Sequence, residues 1–89
     1  MKFIWHEAKR KTNLKKHGVD FVDAQKVFAG STFTFEDNRD NYGEQRWVTL
    51  GLFGMKVIVI VHTETLDEIR IISMREANKN EQQLFFRNL

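Results

Sequence analysis

Along the first third of the chain the apolar positions recur at helical spacing. From Thr32 onward they alternate or run together, as they do in strands. Lys2–Trp5 is a short apolar start that predicts an edge strand. Glu7–His17 is helical in composition, with an acid at its start and bases toward its end, the order a helix dipole favours. Its stripe, Ala8, Lys11, Thr12 and Lys15, is barely apolar, so its packing face must be thin. Phe21, Ala24, Val27 and Phe28 mark a clearer amphipathic helix, ended by Gly30. At the corner between the two helices Gly18 supplies a left-handed residue, and Val19 is expected to touch Leu14 in a Schellman ending. Asp20 is the expected N-cap of the second helix.

Then the period changes. Phe33 and Phe35 alternate with Thr32, Thr34 and Glu36, the signature of a half-buried strand. Asp37–Gly43 is polar and turn-rich, and β character resumes over Gln45–Phe53. After a turn at Phe53-Gly54, Lys56–Thr63 is a near-continuous β-branched run that fits a central strand buried on both faces. Glu64–Asp67 reads as a turn and Glu68–Met74 as another strand. Asn78-Lys79-Asn80-Glu81 is a capping box opening a last helix through Leu84, Phe85 and Phe86. The expected order is β-α-α-β-β-β-β-α, in an α+β domain of two layers, an antiparallel sheet covered by helices.

Composition narrows the function classes. Eighty-nine residues fit a single domain, 1–89, and eight Phe with two Trp supply a core. The absence of Cys excludes disulfides, thiolate metal sites and a Cys nucleophile. The longest apolar run, Val57–Val61, is too short to span a bilayer, and the charges at His6-Glu7 interrupt any signal-like start, so a cytoplasmic protein without membrane partners is expected. Net charge is only +2, but it is uneven: seven basic residues against three acidic in 1–30, three against seven in 31–68, four against two in 69–89. If the two basic ends meet in the fold, they form a face suited to a polyanion; otherwise they are solvated helix surface.

Several residues can carry chemistry. His17 sits at a helix C-terminus among Lys15 and Lys16, where it is either a plain helix-end cation or a proton-transfer group. Glu44 and Arg46, two apart on an expected strand, share a face, as do Ser73 and Arg75; Arg70 falls on the opposite face from Arg75 if that strand stays regular. An imidazole, a carboxylate and two guanidiniums are sufficient for metal-free cleavage of a phosphodiester, with a base for the 2′-hydroxyl, an acid for the leaving oxygen and arginines for the developing charge. On spacing alone, a cross-strand charge pair on a wet sheet face is the simpler account of Glu44 and Arg46. His6, His17 and His62 are scattered without metal-box spacing, so no metal and no other cofactor is expected.

Trp5, Lys9, Asn13, Lys16-His17-Gly18-Val19, Phe21, Ala24, Val27-Phe28, Glu44, Arg46, Gly51, His62-Thr63, Arg70-Ile71-Ile72-Ser73, Arg75, Ala77 and Glu81 together resemble the BrnT family of toxins. The resemblance runs in order over nearly the whole chain. His6 stands where the family usually has Asp, and Met74 where it usually has Ala. The resemblance implies a RelE-like ribonuclease fold and an endoribonuclease that blocks translation. It also implies neutralisation by a BrnA-type ribbon-helix-helix antitoxin, with operator DNA bound only through the toxin–antitoxin complex. Under that expectation His17, Glu44, Arg46 and Arg75 are catalytic, and Lys9, Lys15, Lys16 and Arg70 bind RNA. The rival expectation is an inactive module that only complexes an antitoxin and modulates DNA binding.

Overall fold

Two tight connections and one bulge set the sheet. The computed structural model describes residues 1–89. In chain order it has β1 (Lys2–Trp5), α1 (Glu7–His17), a 3-10 turn (Phe21–Asp23), α2 (Ala24–Phe28), β2 (Thr32–Glu36), β3 (Trp47–Phe53), β4 (Lys56–Glu64), β5 (Glu68–Glu76) and α3 (Lys79–Arg87). β3 and β4 are joined by Gly54-Met55, with φ +62° at the glycine alone, the pattern of a type II′ hairpin turn. β4 and β5 are joined across Thr65–Asp67, tightened by the Thr65 hydroxyl accepting from the Glu68 amide.

The five strands lie in the order β1-β5-β4-β3-β2. β2 to β5 pair antiparallel, but β1 joins β5 in parallel, Lys2 opposite Glu68 and Trp5 opposite Ile71. The sheet is therefore mixed, not antiparallel as the short turns suggested. The helices that follow β1 carry the chain away, and β2 re-enters at the far edge.

The two-layer expectation is also corrected. Phe21, Ala24 and Val27 pack with Ile58, Ile60, Ile69, Ile71 and Met74 on one face of the sheet. Phe85 and Ala77 pack with Val48, Leu50, Val57, Val59 and Val61 on the other. Helices thus cover both faces, α2 on one and α3 on the other. The alternate residues of β4 are split between the two cores, which is why that strand is apolar throughout.

α1 sits at the rim of the sheet. Only Asn13 is buried along it. Where β1 ends, the outer edge of β5 would be bare, and the Asn13 side chain fills the gap. Its amide donates to the Met74 carbonyl at 2.8 Å and accepts from the Met74 N–H at 3.2 Å. It therefore pairs with β5 as the next strand would. The same amide donates to the Val19 carbonyl and so holds the corner after the helix. That corner is simpler than a Schellman ending: Gly18, at φ +71°, donates to the Leu14 carbonyl in a single αL closure. Asp20 caps as expected, accepting from the Val22 amide, but what it opens is the 3-10 turn and then a short α2, not one continuous helix.

Candidate functional site

The β5 bulge assembles the site. Val61 pairs with Ser73 and His62 with Ile71, leaving Ile72 as the extra residue. Facing residues share a side of the sheet. Arg70, opposite Thr63, and Ser73 and Arg75, opposite Val61 and Val59, therefore all point to the α3 side. The expectation that Arg70 and Arg75 lie on opposite faces required a regular strand and fails at the bulge.

At one end of that face the Arg70 guanidinium donates to both oxygens of Glu44 at 2.7 Å and to the Thr63 hydroxyl at 3.3 Å. Arg46 donates to the same carboxylate at 3.0 Å and lies 4.0 Å over the Tyr42 ring. The hydrogen bond from Arg46, and then the charge of Arg70, hold the Glu44 carboxyl below its ordinary range. Glu44 and Arg46 do meet, but in the loop before β3, which begins only at Trp47. Their contact is local rather than the strand pair expected.

At the other end Arg75 forms a bidentate pair with Glu81, 2.8 and 2.7 Å. Glu81 also accepts from the Asn78 amide, so the pair ties β5 to the capping box of α3. Arg75 lowers the Glu81 pKa, and Glu81 raises that of Arg75. α3 is too short to roof the whole face. A cleft of about 190 Å³ is left between it and the 37–39 loop, with Val48, Val61 and Ser73 in its walls. Arg39 reaches into this cleft while pairing with the buried Asp37 at 2.8 Å. Arg39 and Tyr42 are site residues that the sequence did not single out, and Ser73 stood out only as sharing a face with Arg75. The one local signal for Arg39 is its i+2 spacing from Asp37 in a turn-rich segment, which suits a loop-closing pair.

Beside this face, α1 and β5 form a groove of about 370 Å³ lined by Ala8, Lys9, Thr12, Asn13, Lys16, His17, Ile72 and Ser73. No carboxylate lines it, so its cations are unopposed. Lys9 continues into a small pocket with His6 and Arg70, and Ser73 is shared with the Arg75 cleft. The basic N-terminal segment and the last strand therefore do meet. Lys15 is exposed and lines neither groove, being turned away from the Lys9–Lys16 side by the helix period.

The four residues expected to be catalytic do not gather on one point. Arg70 marks the Lys9 end of the groove, and His17 lies eight residues further along α1, about 12 Å at 1.5 Å per residue. Glu44 with Arg46 lies at the Arg70 end, His17 lines the far part of the groove, and Arg75 lines the separate cleft beneath α3. No three His, Cys, Asp or Glu side chains converge in a way that could hold a metal ion. No helix is long and apolar enough to cross a membrane.

The family described as the ribonuclease toxin BrnT of type II toxin–antitoxin systems matches residues 5–81. The chain belongs to that family. The match runs from the last residue of β1 to the first turn of α3 and so includes both ends of the groove. The family is one of ribonuclease toxins, and membership of a type II system implies an antitoxin partner. No curated protein matches the chain closely.

Proposed function

We propose that this chain is a metal-independent endoribonuclease with a RelE-like fold that inhibits translation by cutting RNA laid along the α1–β5 groove. The observation that carries this is the groove itself, in which Lys9, Lys16 and His17 are unopposed by any carboxylate. Phosphate oxygens are attracted there without displacing an internal partner. His17 is the proton-transfer group. Glu44 is a poorer candidate, because two guanidiniums stabilise its ionised form and a strongly stabilised carboxylate is a weak base. Glu44 instead aims Arg46 and Arg70 at the substrate backbone. Arg75, two residues beyond Ser73 and on the same face, stabilises the phosphorane-like transition state formed when the 2′-hydroxyl attacks; the P–O5′ bond breaks, the 5′-oxygen leaves protonated, and a 2′,3′-cyclic phosphate remains. The partner is a BrnA-type antitoxin, and operator DNA is reached only through the complex.

One observation favours the rival, a module that binds an antitoxin and cuts nothing. Arg39, Arg46, Arg70 and Arg75 are all already paired with carboxylates. Purified protein on defined RNA separates the two. His17→Ala is expected to lower the cleavage rate by about 100-fold or more with an unchanged melting temperature. Activity is expected to survive EDTA. Equal rates for wild type, His17→Ala and Arg75→Ala, or a rate restored only by added metal, would overturn the proposal.

A further inference from the structure

A further hollow lies apart from the α1–β5 groove. It is about 580 Å³ and lies between the α1 corner and the β3–β4 hairpin. Its apolar walls are Leu14, Val19, Phe53, Met55 and Ile58. Met55 is fully exposed at the hairpin tip, and Leu14 is 37% exposed. Apolar side chains held open this way lose stabilisation that a partner would restore. The charged lining is acidic: Asp20, Asp23 and Glu76 against Lys56 alone. Arg10, from outside the hollow, reaches Asp20, and Lys56 lies 3.9 Å from Glu76, which leaves Asp23 without an ion-pair partner. His17 lines this hollow as well as the RNA groove.

We infer that this hollow is the docking site of the antitoxin. The occupant is an amphipathic polypeptide segment that inserts apolar side chains between Leu14, Phe53 and Met55 and sets a Lys or Arg against Asp23 and Glu76. Charge selects among the occupants. RNA is disfavoured by a lining whose one uncompensated charge is the Asp23 carboxylate. A second copy of this chain, docking the same surface symmetrically, would bring acid against acid. A basic amphipathic segment satisfies both the apolar and the acidic lining. Neutralisation follows from the shared wall, because a segment seated here covers His17 and closes that end of the groove. The mechanism of neutralisation rests on the assignment of proton transfer to His17, but the docking site does not.

Calorimetry of the purified toxin with the antitoxin encoded beside it tests the site directly. Met55→Glu with Leu14→Glu is expected to weaken binding at least tenfold, and Asp23→Lys to do so independently. Both variants keep their far-UV spectra and their RNA cleavage, since none of these residues lines the RNA groove. One equivalent of antitoxin is expected to silence wild type and leave the double variant active. Wild-type affinity retained by both variants would overturn the docking site while leaving the ribonuclease assignment intact. A wild-type dimer that the double variant abolishes would assign the hollow to a second copy and overturn the proposal equally. Weakened binding in a protein whose cleavage is unaffected by His17→Ala would uphold the site and remove only the catalytic assignment.

Discussion

His62 shows how much one buried side chain can decide. It is fully buried, its ring is edge-on to Phe28, and its Nε2 is 2.7 Å from the Thr49 hydroxyl, which in turn meets Thr34. Its Nδ1 has no hydrogen-bond partner. Burial pushes its pKa down from 6.5 to about 4. The folded state therefore holds the neutral ring, while the unfolded state takes up a proton below 6.5. The stabilisation is complete above that value and is lost as pH falls toward 4, by on the order of 3 kcal/mol. Melting temperatures measured from pH 7 to pH 4 should fall in wild type and fall much less in His62→Gln. Gly51 is limiting in a different way. A Cβ there would lie 2.6 Å from Val27 Cγ1 and 3.1 Å from Thr32 Cγ2. Gly51→Ala is expected to cost about 1–3 kcal/mol, read by urea unfolding.

At the scale of elements, α1 is the outlier. Its stripe is nearly polar, and the structure explains how it stays in place. It is held by one asparagine bonded to the backbone of β5, and by Arg10 pairing with Asp20 beyond the corner. Asn13→Leu would leave the Met74 N–H and C=O without partners in a buried site. Each buried group left unsatisfied typically costs about 1–3 kcal/mol. The expected result is a clear loss of stability with amide exchange rising first in α1 and at Met74. Uniform exchange across the sheet would argue against this anchoring role. The thin stripe was readable in the sequence, and a weakly packed helix was the correct expectation. Its docking partner was not readable, because Asn13 and Met74 are 61 positions apart and nothing local links an amide side chain to a strand edge. The same holds for the bulge at Ile72, which no residue in Arg70–Arg75 announces and which alone puts both arginines on one face.

For the whole molecule, parallel pairing of β1 with β5 brings the basic N-terminal segment against the last strand. That is the meeting of ends which the uneven charge left open. RNA affinity should therefore depend on Lys9 and Lys16 but not on Lys15. Each contact to a single-stranded phosphate contributes about 0.7 to the salt slope, so Lys9→Ala with Lys16→Ala is expected to flatten it by about 1.4, and Lys15→Ala to leave it unchanged. Filter binding at several salt concentrations checks this. An equal effect of Lys15 would move the RNA track off the groove.

Local rules were enough for the composition of the elements. The αL glycine at the α1 corner, the Asp20 cap, the Asn78–Glu81 capping box and the doubly buried β4 are all written in near neighbours. The family resemblance, carried by scattered positions in order, was also legible without coordinates, and the match over residues 5–81 supports it. A strand apolar on both faces already implied cover on both sides of the sheet, so two layers could never have sufficed. What only the tertiary structure decided is pairing at a distance: β1 beside β5, α3 opposite α2, Glu44 on Arg70, Arg75 on Glu81. Residue type fixes what a side chain can bond to, but chain closure chooses which of several equivalent arginines and carboxylates actually meet. That choice separated His17 from Glu44 along the groove, although the sequence presented them as one catalytic set.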